Sequence, residues 1–134
     1  MKNIPEPNYE GKWFLITGCA KRVGANIARY LASRGANLFI HYHRSRSEAE
    51  ALEKEIEEAS GVEVRLVSAD LSREEEVKAL FAGISPDVVV NNAGSFKKND
   101  LGVNIDVNLR APLLVSEEAV KRMLADKKEG VIFF

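Results

Sequence analysis

The stretch Leu15-Ile16-Thr17-Gly18-Cys19-Ala20-Lys21-Arg22-Val23-Gly24 carries the clearest chemical potential in this chain. Trp13 to Ile16 form an apolar, strand-like run, and helix spacing takes over at Arg22. Gly18 can take the positive φ that a sharp strand-to-helix turn needs. Gly24 lacks a side chain, so the new helix can lie close against the strand. A helix that starts this way presents unpaired N–H groups and the positive end of a dipole, which together attract phosphate. The plainer alternative is a glycine turn that only connects two packed elements. Cys19, inside the turn, reads as a small filler rather than an activated thiol.

His41-Tyr42-His43-Arg44-Ser45-Arg46 lies about 20 residues further on, where a dinucleotide site reads the adenosine ribose. A carboxylate there would favour a free 2′-hydroxyl. This chain has Arg44, Ser45 and Arg46 instead, with Arg22 able to reach across from the turn. A charge-assisted hydrogen bond contributes roughly 1.5–3 kcal/mol, or about 10- to 150-fold in affinity. The expected ligand is therefore NADP rather than NAD, unless the loop is simply basic and empty. His41 and His43 share a strand face, but with no third ligand nearby a metal site is not expected.

These groups need a scaffold, and the rest of the chain supplies its signals. After the first strand, the spacing predicts a helix from Arg22 to Arg34, with Val23, Ile27, Ala28, Leu31 and Ala32 inward and Gly35 as its stop. Asn37 to His43 reads as a second strand. Ser47 and Glu50 form a capping box for a helix with Ala49, Leu52, Ile56 and Ala59 inward. Val62 to Ser68 reads as a third strand, closed by Asp70-Leu71. Ser72 and Glu75 cap a helix with Val77, Leu80, Phe81 and Ile84 inward, broken by Pro86. Asp87 to Val90 is a short apolar strand leading into Asn91-Asn92-Ala93-Gly94. Pro112 opens a long helix to about Lys127, with Leu113, Val120, Met123 and Leu124 inward and Glu117, Glu118, Lys121 and Arg122 outward. Val131 to Phe134 reads as a last strand, and Met1 to Glu10 as a loose lead-in.

Alternating apolar strands and helices specify an α/β fold with a doubly wound parallel sheet. Right-handed crossovers give the strand order 3-2-1-4-5, with a nucleotide crevice where the winding reverses. At 134 residues one domain is expected, spanning 1–134. The net charge of −1 gives no electrostatic case for nucleic acid or an anionic membrane. No apolar run reaches the roughly 20 residues of a membrane-spanning helix, and the N-terminus lacks a signal-peptide pattern. Cys19 is the sole cysteine, so no internal disulfide forms, which suits a cytoplasmic setting.

Thr17-Gly18-xxx-Arg22-x-Gly24, Asp70-Leu71, Asn91-Asn92-Ala93-Gly94 and Asn108 stand in an order that resembles the short-chain dehydrogenase/reductase family, from about Lys12 to Phe134. Within it, Arg22, the His41–Ser45 stretch and Ser95-Phe96 are most similar to pteridine reductases. The resemblance implies a Rossmann-type domain that binds NADP(H). Thr17, Gly18, Arg22, Val23 and Gly24 would wrap the pyrophosphate and adenosine side, and His43, Arg44 and Ser45 the 2′-phosphate. Asp70 and Leu71 would contact adenine; Asn92, Ala93 and Gly94 would line the path toward nicotinamide. Asn108 would match the catalytic asparagine that orders a water. Phe96 would match an aromatic that stacks on a pterin, or is a plain loop aromatic.

The departures are equally specific. The family uses a Ser, then a Tyr and Lys four positions apart, beyond the fifth strand. Tyr9, Tyr30 and Tyr42 all lie upstream, and none has Lys at the fourth following position. The Gly94–Asn108 loop is shorter than usual in the family. The expectation is a fold truncated after its fifth strand, a piece of a longer protein that is inactive alone and leaves an apolar edge at Val131 to Phe134. The complete protein would be an NADPH-dependent oxidoreductase acting on a small molecule, a carbonyl or a pterin C=N bond, and a homo-oligomer (dimer or tetramer). Pteridine or dihydrofolate reduction is the narrower expectation, on Arg22 and Phe96, with a 3-oxoacyl thioester or sugar ketone as its competitor. The alternative is a non-catalytic NADP-binding module completed by a partner chain.

Overall fold

The computed structural model describes residues 4–134. The sheet has five parallel strands: β1 (Trp13–Ile16), β2 (Asn37–Tyr42), β3 (Val64–Ser68), β4 (Val88–Val90) and β5 (Val131–Phe133). Their order is β3-β2-β1-β4-β5, as the alternation requires. The helices are α1 (Arg22–Ser33), α2 (Arg46–Ser60), α3 (Glu74–Gly83), α4 (Leu101–Ile105) and α5 (Ala111–Ala125). A π-helical stretch, Asp106–Arg110, joins α4 to α5.

The two-residue period of the strands divides the core between the two faces. Phe14, Ile16, Leu38 and Ile40 pack with Ala28, Leu31, Leu52 and Ile56 of α1 and α2. Leu15, Phe39 and Val89 pack on the other face with Val77 and Phe81 of α3 and Val115 and Met123 of α5. The lead-in is tied down at Tyr9, which donates its N–H to Arg34 O (2.8 Å) and packs edge-on against Phe14. Met1 to Asn3 lie outside the described residues.

Several helix faces differ from the sequence expectation. In α1 Val23 is exposed, and Gly24 and Ala25 are buried in its place, because the helix approaches the sheet too closely for a branched side chain. Ala59 is exposed in α2, and Ile84 is buried just past the end of α3. In α5 the inward stripe is Ala111, Val115, Ala119 and Met123; Leu113, Val120 and Leu124 face outward. Side-chain size decides this, since the two alanines allow a close approach to the sheet.

Neither capping box forms as expected. Ser45, not Ser47, precedes α2, and the Glu50 carboxylate is taken by Arg46 (2.7 Å). Before α3, Asp70 accepts from the N–H and hydroxyl of Ser72. Glu76, one residue past the expected Glu75, accepts the Asp70 N–H at 2.7 Å.

Asp87 fixes the starts of three strands. Its carboxylate accepts the Trp13 N–H (2.8 Å) and pairs with Lys128 (3.2 Å). Its backbone donates to Trp13 O and accepts from Val131 N. Asp87→Ala leaves the Trp13 N–H without its side-chain acceptor and should lower the unfolding free energy by about 1–3 kcal/mol. Asp87→Asn, which can still accept, should lose less. Urea unfolding of both variants checks this; equal losses would contradict it.

Candidate functional site

The turn after β1 is built on a buried hydroxyl. Thr17 is 1% exposed, and its Oγ1 accepts the N–H groups of Asn92 (3.0 Å) and Ala93 (2.9 Å). The Asn92 amide donates to Thr17 O (2.9 Å) and Gly18 O (3.1 Å). The end of β1 and the segment leaving β4 are thereby locked together. Gly18 has φ +61°, and a Cβ there would lie 2.8 Å from Ala93 Cα. A Cβ on Gly24 would lie 2.5 Å from the Asn92 amide nitrogen and 2.7 Å from Cys19 Cα. Neither position has room for another residue.

His41 closes the third side of this lock. Its Nδ1 accepts the Gly18 N–H at 2.9 Å, which assigns the ring proton to Nε2, 3.0 Å from Ala69 O. His41 is therefore a brace between β1, β2 and the end of β3. It is buried, whereas His43 is half-exposed beyond the strand, with its Nε2 3.8 Å from the Asp70 carboxylate. Cys19 is fully buried and its thiol is pushed up to about 12 by desolvation, as a filler requires.

The C-terminal strand ends open into a crevice of about 400 Å³. Of the expected site residues, Gly18, His43, Arg44, Asp70, Leu71, Ala93 and Gly94 line it. An adjoining cleft of about 260 Å³ adds Ser45 and Lys21 to Gly18, His43 and Arg44. Asp70 lies 3.8 Å from His43, and its carboxyl is held below the usual range, chiefly by the Ser72 hydroxyl. Thr17, Gly24 and Asn92 sit beneath the turn, where they position it. Arg22 holds φ +55° at the start of α1, and Val23 is exposed beside it. Asn108 lies on the π-helical stretch and lines a separate pocket of about 210 Å³ with Asn91, Ala93 and Phe134. Phe96 is 89% exposed and lines neither space.

The electrostatics are selective. The N-terminus of α1 has no side-chain cap and no acid in its first turn. By contrast, α2 has Glu48 and α3 has Glu74, Glu75 and Glu76 in theirs. Arg29, Arg34, Arg46, Arg65, Arg73, Arg110 and Arg122 all hold carboxylates. Among the described residues, Arg22 and Arg44 alone of the arginines hold none. At the start of α1 Lys21 is paired with Glu48 (3.4 Å), so among the described residues the positive charge left without an internal partner there and just past β2 is that of Arg22 and Arg44.

Sequence reasoning missed the far wall of the crevice: Ser95, Lys97, Val103, Asp106 and Val107. The available signal was Asp100, whose side chain accepts the Val103 N–H and starts α4 inside the supposed loop.

A family model described as short chain dehydrogenase matches residues 12–134. The chain belongs to the short-chain dehydrogenase family. It is 32% identical to the 3-oxoacyl-[acyl-carrier-protein] reductase FabG of Staphylococcus aureus, over 88% of this chain and 53% of that protein. The FabG of Staphylococcus epidermidis is 33% identical over the same shares. A metagenomic short-chain oxidoreductase solved in complex with NADP superposes with a TM-score of 0.82 and 32% identity, covering 93% of this chain and 62% of that one. A Serratia marcescens short-chain dehydrogenase/reductase variant gives 0.78 at 27% identity, covering 87% and 52%. This short-chain dehydrogenase chain spans about half the length of the curated relatives it matches. Among its described residues, no helix is long and apolar enough to cross a membrane.

The His41 brace makes the family turn sensitive to acid. Burial pulls its pKa from 6.5 to about 4. The unfolded chain therefore takes up this proton first. The contribution of His41 to stability is full above about pH 6.5 and drains as pH falls toward 4, by about 3 kcal/mol in all. Urea unfolding between pH 7.5 and 4 should show that loss, and the His41→Gln variant should show a correspondingly shallower slope. Equal slopes would contradict it.

Proposed function

We propose that this chain binds NADP(H) and forms the cofactor-binding part of a reductase. The observation that carries the proposal is Arg44, a guanidinium with no carboxylate partner among the described residues, on the crevice wall at the end of β2, where a ribose-reading residue stands. The donor set fits the cofactor. The bare N-terminus of α1 and the closely packed Gly18–Gly24 turn suit a pyrophosphate. Arg44 and Ser45, with His43 beside them, suit a 2′-phosphate, with Arg22 as a second cation. Asp70 and Leu71 wall the adenine side, and Ala93 and Gly94 the path onward. In this reading Thr17, Asn92 and Gly24 act by holding that geometry, and Val23 offers its backbone.

When bound, the cofactor supplies a hydride. The residues of this chain orient it and exclude water from one side. Asn108 commits its amide to Ser95, accepting the Ser95 N–H (2.8 Å) and donating to Ser95 O (2.7 Å). One lone pair of its Oδ1 and one N–H of its amide are what it has left to order a water in a proton relay. None of Tyr9, Tyr30 and Tyr42 lines the main crevice, so this chain offers no tyrosine proton donor there.

The acceptor in this proposal is the carbonyl of a 3-oxoacyl thioester, the reaction class named for the Staphylococcus relatives. The exposed Phe96 favours a second reading, stacking on a flat pterin. The names of the matched relatives speak against a non-catalytic module. The proposal places the protein in the cytoplasm, where an unpaired cysteine suits the reducing conditions. It also includes a homo-oligomer. Leu101, Ile105, Leu109 and Leu113 stand exposed at four-residue spacing, an apolar stripe with room for a second subunit.

The test is NADPH oxidation by the protein that carries this chain, with a 3-oxoacyl thioester beside dihydrobiopterin. Turnover of the thioester is expected. Arg44→Glu should weaken NADPH binding by about 10- to 150-fold while changing NADH binding little. Unchanged NADPH affinity in that variant would overturn the cofactor assignment, and turnover of the pterin alone would overturn the substrate class.

A further inference from the structure

Two asparagines one turn apart grip the segment that leaves Gly94. Asn108 makes the two-bond clasp on Ser95 described above. Asn104 makes the same clasp on Lys97: its Oδ1 accepts the Lys97 N–H (2.8 Å), and its Nδ2 donates to Lys97 O (2.9 Å). Four helical residues advance about 6 Å, and two extended residues about 6.6 Å. The helix can therefore hold alternate residues of an extended arm. Phe96, between the two clasped residues, is left pointing away and 89% exposed.

The local sequence closes this device on itself. Asn99 takes φ +65°, a conformation asparagine tolerates, and the Asp100 N–H turns back to Lys97 O at 3.2 Å. Asp100 caps α4, and Asn104 follows one turn later with its backbone N–H on Asp100 O. Lys97 O thus accepts from both Asp100 and Asn104. The arm gains from this a fixed place on the crevice wall, where Ser95 and Lys97 stand in the same enclosure as Arg44. Among the described residues the Lys97 ammonium has no acid partner. The nearby Asp106 is taken by Arg110 at 2.7 Å, and Asp70 by Ser72 and His43.

We propose that Asn104 is a positioning residue for Lys97, and that Lys97 is a further cationic contact for an anionic oxygen of the dinucleotide. This rests on the NADP(H) reading above. Its physical content is that the clasp orders the backbone that carries a long, mobile side chain. The ordering cost is then met in folding rather than on binding.

The experiment is a fluorescence titration with NADPH on the protein that carries this chain, with Lys97→Met, Asn104→Ala and the double variant. Alanine is the better helix former, so the substitution removes the clasp without weakening α4. Asn104→Ser provides a second variant if the first folds poorly. Lys97→Met and Asn104→Ala should each weaken NADPH binding by about five- to tenfold and flatten its salt dependence. The double variant should bind no more weakly than Lys97→Met. Hydrogen exchange at the Lys97 amide should rise in Asn104→Ala and not in Lys97→Met. Unchanged affinity in Lys97→Met, or effects that multiply in the double variant, would overturn the inference. If Arg44→Glu weakens NADPH binding while these variants do not, this inference falls and the cofactor reading stands. If the unsubstituted protein binds no NADPH, both fall.

Discussion

The Thr17 hydroxyl, buried at the end of β1, is the point on which the site depends. It accepts two N–H groups from the segment leaving β4, while the Asn92 amide returns two bonds to the segment leaving β1. These strands are neighbours in the sheet but distant in sequence, and the winding reverses between them. Without such ties their divergent loops would leave backbone donors and acceptors unpaired in a partly buried place. The ties hold Gly18 against Ala93 and Gly24 against Asn92. They thereby set how close a ligand can come to the backbone at the start of α1.

The positive character of the site follows from what the fold leaves out. The first turns of α2 and α3 carry glutamates, which offset their own dipoles; that of α1 carries none. Among the described residues, Arg44 stands without a carboxylate while seven of the other arginines have one. An anion would meet donors that folding has already fixed, so little reorganisation remains to oppose binding. The neutral His41 brace serves the same end, holding the Gly18 N–H without adding a buried charge.

Much of this was legible in the sequence, for identifiable reasons. Strand order followed from the β-α alternation and the handedness of crossovers, which depend on chain chirality more than on individual side chains. The glycine turn and the basic loop after β2 were visible because their residue types are unusual at those positions. The inner face of α5 was misread because that helix is apolar on two sides, and its small residues, not its leucines, meet the sheet. The capping boxes failed because Asp70 and Arg46 competed for the same groups. The Gly94–Asn108 region read as loop because α4 is short and its clasps are side-chain-to-backbone bonds, which leave no periodic trace. The role of His41 was not legible, because both of its ring nitrogens serve backbone groups that only the folded chain brings near.

The most direct measurement is residue-resolved hydrogen exchange on the protein that carries this chain, with saturating NADPH and then with NADH. The account predicts that both cofactors protect the amides from Ala20 to Val23, whereas only NADPH protects Arg44 and Ser45. Protection by NADPH elsewhere, with the turn unchanged, would contradict the site. Equal protection of Arg44 and Ser45 by the two cofactors would contradict the reading of that loop as a 2′-phosphate site.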